Sequence, residues 1–227
     1  MNNLLNDMSD SARWRLIVDA AKAGMMAKGY ALERVPGRGM SNVWNVTKDG
    51  ETRIASIRTT RDRYIAFPPL EGGAKWKTLD DVELVVVATV DSKDAPERVE
   101  VYLFPADDVR QRFNANYAAR LKVGQAIKDN FGMWVGLDRD DRGIAASVGT
   151  GILEKYEPIA NYAIADLLAE HPQAQANDDE PGQAAGEVPA TPTLATIAEV
   201  MAWARNRVAE IAGVQAEAVK LDLKLEY

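Results

Sequence analysis

A run of nine residues, Val82–Val90, constrains the fold more than any other segment of this chain. It reads Val-Glu-Leu-Val-Val-Val-Ala-Thr-Val, so all its side chains except Glu83 and Thr89 are apolar. A strand with so many β-branched residues in succession is typical of the centre of a sheet that is covered on both faces. We therefore predict an α/β or α+β fold in which a mixed sheet is flanked by helices.

The segments around this strand predict its neighbours. Ser9 and Asp10 are suitable caps for a helix that runs to about Lys28, and Asp49-Gly50 is the signature of a tight hairpin turn between two strands. Arg98–Phe104 alternates between polar and apolar side chains, which predicts a strand beside the central one. The remaining predictions are strands at 43–47, 52–60 and 64–67, a helix at 105–123, one hairpin within 130–160, a short helix at 162–168, and core positions for Trp14, Trp44 and Trp134.

The C-terminal part of the chain differs in composition from the part before it. Residues 169–193 contain almost no large apolar side chains, so we predict a flexible acidic linker between a core domain at 1–168 and a small unit at 194–227. This unit reads as an amphipathic helix followed by a strand with Leu221, Leu223 and Leu225 on one face. A unit of about 34 residues cannot bury enough surface to fold alone. The leucine face is therefore expected to pack either on its own domain or on the same unit of another subunit, as a homo-oligomer interface.

Composition excludes several classes of protein. The chain of 227 residues has no cysteine, so thiol chemistry and zinc–thiolate sites are excluded. Its one histidine, His171, stands in a polar stretch and reads as a solvated linker residue, which disfavours a histidine metal site or a serine–histidine–aspartate triad. No phosphate-binding loop or dinucleotide-binding motif occurs, and no cofactor is expected. The sequence has no apolar run of about 18 residues and no signal peptide, which predicts a cytoplasmic protein without a membrane segment.

The strand that reads Arg53-Ile-Ala-Ser-Ile-Arg-Thr-Thr60 follows a predicted helix and hairpin and precedes the apolar strand. In this order of elements the chain resembles, over residues 9–123, the PD-(D/E)XK nucleases. Its segment Ser56-Ile-Arg-Thr-Thr60 is similar to the Gln-Val-Lys-Thr-Ser strand in one branch of them. The resemblance implies a nuclease-like core in which Asn45 or a neighbour takes the position of the aspartate. Ser56 then takes the position of the second acid, and Arg58 that of the lysine.

These three positions depart from the pattern of those nucleases. Their carboxylates hold Mg²⁺, a cation that prefers oxygen ligands, and their lysine orients the attacking water. Asn45 and Ser56 are neutral, and arginine stays protonated and cannot act as a base. We therefore expect no catalytic residue and no metal site here, although Arg58 can still bind a phosphate. The segment 57–67 also resembles a group of bacterial proteins without an assigned function.

Positive charge is concentrated between residues 53 and 77, although the net charge of the chain is −7. Net negative charge disfavours general coating of DNA, but a local cluster can contact phosphates, and aromatic side chains within it can stack on unpaired bases. Tyr64 is interleaved with this cluster, and the cations of the second predicted helix, Arg110, Arg112, Arg120 and Lys122, would extend it. The predicted nucleic-acid-binding residues are Arg53, Arg58, Arg61, Arg63, Lys75, Trp76 and Lys77.

Three functions are compatible with these features. The first is a non-catalytic nuclease-like protein that contacts DNA or RNA through the basic cluster, in a mobile-element or phage-defence setting. The second is a structural or regulatory protein that self-associates or captures a protein partner through residues 194–227. The third is a Mg²⁺-dependent nuclease with atypical carboxylates. These would be drawn from side chains that otherwise read as solvated charges at turns and strand ends: Asp49, Glu51, Asp80, Asp81 and Glu83.

Overall fold

The computed structural model describes residues 8–35 and 42–170, together with positions 5, 201, 202 and 205. The chain divides into two units, Met1–Gly182 and Gln183–Tyr227, and the architecture below is that of the first. The predicted linker from residue 171 onward and the predicted interface at Leu221, Leu223 and Leu225 lie outside the described residues.

A mixed sheet forms the centre of the first unit. In chain order the strands of the described residues are β1 (Ala31–Arg34), β2 (Val43–Lys48), β3 (Glu51–Thr60), β4 (Tyr64–Ala66), β5 (Pro69–Leu70), β6 (Lys75–Trp76), β7 (Leu84–Val90), β8 (Arg98–Pro105), β9 (Trp134–Gly136) and β10 (Ala160–Ala163). Six of them form one sheet in the order β1-β2-β3-β7-β8-β10. The pair β3–β7 is parallel, and the other neighbouring pairs are antiparallel. The other four strands form two short ribbons, β4–β9 and β5–β6.

Helices cover both faces of this sheet. They are α1 (Asp10–Ala27), α2 (Ala106–Lys122) and α3 (Ile164–Glu170) within the described ranges. Ser9 caps α1, since its hydroxyl accepts a hydrogen bond from the Ala12 N–H at 3.3 Å. The turn between β2 and β3 takes the predicted tight form, because Asp49 and Gly50 both have positive φ, 52° and 81°. The predicted mixed α/β class, with helices flanking the sheet, is confirmed.

The central strand explains how the two cores are separated. Every residue of β7 is buried, as predicted, and its side chains alternate between the faces of the sheet. Val86 and Ala88 lie in a core that also contains side chains of α1 and α3, such as Ile17 and Leu167. We call this the α1 face. The opposite α2 face carries a second core, which includes Val85, Val87, Phe67, Val109 and Phe113.

Two predictions after α2 are wrong. Residues 130–160 do not form a hairpin, because β9 pairs with β4 and β10 pairs with β8. Both pairings join segments that are distant in sequence, so no local turn motif predicts them. Tyr162 belongs to β10, and α3 therefore begins at Ile164 rather than at residue 162.

The predicted core positions of the tryptophans are also partly wrong. Trp44 packs against the core of the α1 face, but Trp14 and Trp134 are exposed. Trp14 lies on α1 beside the buried Ile17 and Ala21. Residues three and four apart share a helix face only approximately, and here Trp14 falls at the solvent edge of the apolar stripe.

Candidate anion-binding site

Side-chain alternation along β3 divides the predicted basic cluster between the two faces of the sheet. Ser56 lies opposite Val43 of β2, and Arg58 lies opposite Val87 of β7, so both side chains point to the α2 face. Asn45, which is paired with Ile54, shares that face. Arg53 is an odd number of residues from Ser56 and Arg58 and lies on the α1 face. The three positions matched to the nuclease strand thus share one face, and Arg53 does not join them.

Arg58 is a partly buried cation without a counterion among the described residues. Its guanidinium carbon lies 4.6 Å from the centre of the Phe67 ring, a cation–π contact. Its Nε is buried and makes no hydrogen bond within the described ranges. Burial lowers the pKa of Arg58 from 12.5 to about 10, because desolvation penalises the charged form. The native state therefore carries an uncompensated charge that an anion would stabilise.

Two more polar atoms close to Arg58 in sequence also lack partners. Ser56 is fully buried, and neither its Oγ nor the buried Nε of Arg61 makes a hydrogen bond in the described part of the chain. Folded proteins satisfy nearly all of their buried polar atoms. Three exceptions between residues 56 and 61 therefore mark the C-terminal half of β3 and the residue after it as a place where hydrogen-bond partners are missing. Ser56 and Arg58 lie within the parallel pair β3–β7, opposite Val85 and Val87, and Arg61 follows its carboxyl end, an edge where α/β sheets commonly bind ligands.

Arg63, by contrast, is fully engaged and does not fit its predicted role. Its Nε and Nη2 donate to the carboxylate oxygens of Asp138 at 2.7 and 2.9 Å, and Nη1 donates to Glu100 at 3.3 Å and to the Val90 carbonyl. These partners raise the pKa of Arg63, the Asp138 hydrogen bond contributing most. The guanidinium connects the turn after β3 to β7, β8 and the segment after β9, so it is not free to bind a phosphate.

The other predicted contact residues do not form a common surface. Arg53 donates to Glu51 at 2.8 Å, and Lys75 donates to Glu71 at the same distance, so neighbouring carboxylates neutralise both cations. Trp76 is a core residue that donates its indole N–H to Asn114, and in this position it cannot stack on a base. Lys77 is exposed.

The cations of α2 do not extend the cluster either. Arg110 donates to Asp80 at 2.6 Å, and Arg112 donates to the backbone carbonyls of Gly149 and Thr150. Arg120 donates to Asn116 at 2.6 Å, one turn earlier on the same helix. These arginines hold α2 against the loops that surround it.

The carboxylates considered for a magnesium site are dispersed. Asp49 lies in the hairpin turn, Glu51 pairs with Arg53, and Asp80 accepts the Trp76 backbone N–H and Arg110. Asp81 has a partner, and Glu83 accepts the Ile54 N–H at 3.1 Å. In the described ranges no group of three acidic or histidine side chains is arranged to hold a metal ion.

An exposed aromatic surface was not predicted from the sequence. Tyr64 of β4 and Trp134 of β9 lie on the outer face of the β4–β9 ribbon, and Phe131 precedes β9. The sequence contains an alternating pattern that indicates this surface, because the apolar residues Met133 and Val135 flank Trp134. Both are buried in the structure. Strand alternation would then have placed Trp134 outward, but only if the segment had been recognised as a strand.

The fold and this site define a mixed α/β domain with a candidate anion-binding edge. Comparisons of the chain with protein-family models, with curated proteins and with solved structures find no match. The resemblance of β3 to a nuclease strand therefore stays a prediction. Among the described residues, no helix is both long and apolar enough to cross a membrane.

Proposed function

We propose that this protein binds nucleic acid without cleaving it, and that Arg58 and Arg61 contact the phosphates. One observation carries the proposal: among the described residues, Arg58 is a desolvated guanidinium with no carboxylate partner, whereas most other arginines there are paired. A guanidinium offers phosphate a planar array of donors and stays charged at neutral pH. A phosphate at this edge would supply the acceptors that Arg58 and Arg61 lack.

The absence of cleavage follows from the residue types at the edge. Asn45 and Ser56 share the face of Arg58, and neither carries the negative charge that holds Mg²⁺ in nucleases. Arg58 cannot accept a proton from water at neutral pH, since even its lowered pKa is about 10. On this proposal the nuclease-like arrangement serves for binding, and the arginine replaces the metal as the positive charge that faces the phosphate.

The test is a titration of fluorescently labelled DNA, single-stranded and duplex, at increasing salt and with Mg²⁺ present. We expect binding that weakens with salt and a probe that stays intact. The double variant Arg58→Ala/Arg61→Ala should bind on the order of tenfold more weakly and lose about two units of salt slope, one for each phosphate contact.

The matched control is Arg53→Ala/Lys75→Ala. It removes the same number of positive charges, but from residues that Glu51 and Glu71 already neutralise. This variant should retain the affinity of the unmodified protein. No binding at low salt, or equal losses in the two double variants, would contradict the proposal. Cleavage of the probe would contradict the claim that the protein is non-catalytic.

A further inference from the structure

The β4–β9 ribbon presents a row of aromatic side chains to solvent. Tyr64 is 45% exposed, Trp134 is 52% exposed and Phe131 is 63% exposed. The inner face of the same ribbon carries Ile65 and Val135, which are buried in the core of the α2 face. The ribbon is therefore anchored on one side, and its outer side is available for contact.

The orientation of these rings is fixed by glycines and by one another. A Cβ atom on Gly132 would lie 2.5 Å from the Trp134 ring, so the indole rests directly on the backbone there. Phe131 and Trp134 form a perpendicular ring pair, with the ring centres 6.4 Å apart and the planes at 87°. Tyr64 is placed in a similar way over Gly136, where a Cβ would lie 3.3 Å from its Cε1. These contacts hold the Trp134 ring in a defined position.

The charges next to the ribbon are balanced within the described ranges, apart from Arg58 and Arg61, whose Nε atoms make no hydrogen bond there. A cleft of about 380 Å³ opens beside Tyr64 and Gly136, and six of its charged groups neutralise each other in pairs, while Asp62 pairs with Lys93. The six groups form the pairs Arg63–Asp138, Arg139–Asp141 and Arg142–Asp140. Arg61 lies three residues before Tyr64, and the Arg58 guanidinium stacks on Phe67, which directly follows β4. Phe67 is fully buried in the core of the α2 face, so Arg58 approaches this segment from its inner side, and Arg61 is the nearer of the two in sequence to the aromatic row.

We propose that the outer face of the β4–β9 ribbon is a stacking platform for unpaired bases, so that the nucleic acid bound by this protein is single-stranded. The inference rests on the proposed function. Every base has an aromatic face that can stack on Trp134 or Tyr64, whereas bases in a duplex are already stacked on each other. Arg58 and Arg61 supply the complementary charge for the backbone, and the aromatic platform supplies the selection for single strands.

The experiment compares an oligothymidylate of about 12 nucleotides with a duplex of the same length. Trp134→Ala should weaken binding to the single strand on the order of tenfold and leave binding to the duplex unchanged, because only unpaired bases lose a stacking partner. Trp134→Phe keeps an aromatic ring and should restore most of the affinity. Gly132→Ala should behave like a mild form of Trp134→Ala, since it displaces the indole without removing it.

Trp14→Ala is the matched control. Trp14 is a tryptophan of similar exposure, 47%, but it lies on α1, which packs on the opposite face of the sheet from the site. The Trp14→Ala variant should bind both ligands as tightly as the unmodified protein does. Thermal unfolding of each variant verifies that the variant is folded.

Two outcomes separate the two proposals. Equal affinity for the two ligands, or an unchanged single-strand affinity in Trp134→Ala, overturns the stacking platform and leaves the binding function standing if Arg58→Ala/Arg61→Ala still weakens both. Absence of binding to either ligand overturns both proposals.

Discussion

Arg58 and Arg63 stand five positions apart in the same basic segment, yet their surroundings are opposite. Arg63 contacts Asp138, Glu100 and the Val90 carbonyl, and its pKa is raised. Arg58 contacts the face of Phe67, has no carboxylate partner in the described ranges, and has a lowered pKa. The same side chain therefore stabilises the fold at one position and weakens it at the other.

This difference teaches how to separate a structural cation from a binding one. A buried group whose partners are all internal gains nothing from a ligand, because a ligand would have to displace them. A buried group that lacks partners destabilises the free protein, and this cost is recovered only when something binds. The charge cluster seen in the sequence mixes the two kinds, and substitutions at the two arginines should change stability in opposite directions.

The largest expected effect is that of Arg63→Met. The variant removes the guanidinium donor from the Val90 carbonyl and from Asp138, and it leaves the partly buried Glu100 carboxylate with the Tyr102 hydroxyl as its donor. We expect the free energy of unfolding to fall by about 2 kcal/mol, the usual cost of an unsatisfied buried polar group. Urea unfolding followed by circular dichroism measures it. A loss as small as that of an exposed ion pair would show that Arg63 is not the structural residue described here.

Arg58→Met should act in the opposite direction and with a smaller magnitude. Methionine keeps the apolar length of the side chain against Phe67 and removes the desolvated charge. We expect the free energy of unfolding to rise by about 1 kcal/mol, while affinity for single-stranded DNA falls. A destabilised variant would mean that the guanidinium has a stabilising partner, and the comparison with Arg63 would then fail.

The sequence predicts the scaffold well because the scaffold depends on local patterns. The apolar run of β7, the cap at Ser9 and the turn at Asp49-Gly50 each act over a few residues, and all three are confirmed. The errors fall where distant segments meet. The pairings of β4 with β9 and of β8 with β10 depend on the whole fold, and no periodicity within residues 130–160 shows them.

The candidate site was predictable only in part. Alternation along β3 is enough to place Ser56 and Arg58 on one face and Arg53 on the other, so that division could have been made from the sequence. Whether each cation has a counterion could not be predicted from the sequence. Whether Arg63 pairs with Asp138, or Arg58 contacts Phe67 without a counterion in the described ranges, depends on contacts between segments up to 75 residues apart. Residue type carries no information about such contacts.

The smallest expected effect concerns the difference in free energy of unfolding between Arg58→Met and the unmodified protein, which should change with pH. The pKa of Arg58 is about 10 in the native state, against an ordinary value of 12.5. Below the native pKa the group is charged in both the folded and the unfolded chain, so the cost of burying the charge is fully present. As the pH rises above about 10 the native protein can release the proton, the cost declines, and the advantage of the methionine variant should shrink.

Tyr102 also titrates above about pH 10. For this reason the measured quantity is the difference in free energy of unfolding between Arg58→Met and the unmodified protein, and not the stability of either one alone. Burial, assisted by the hydrogen bond to Glu100, raises the pKa of Tyr102 from 10.0 to about 12. The unfolded chain therefore ionises first, and both proteins lose stability as the pH rises above about 10. This loss is common to both proteins and cancels in the difference between their free energies of unfolding.

Urea unfolding of both proteins at about pH 7, 9 and 11 measures that difference. It should be the same at the first two pH values and smaller at the third. A difference that stays constant to the highest pH would mean that Arg58 keeps its proton throughout, and that the guanidinium is better solvated or better paired than its surroundings on the α2 face indicate.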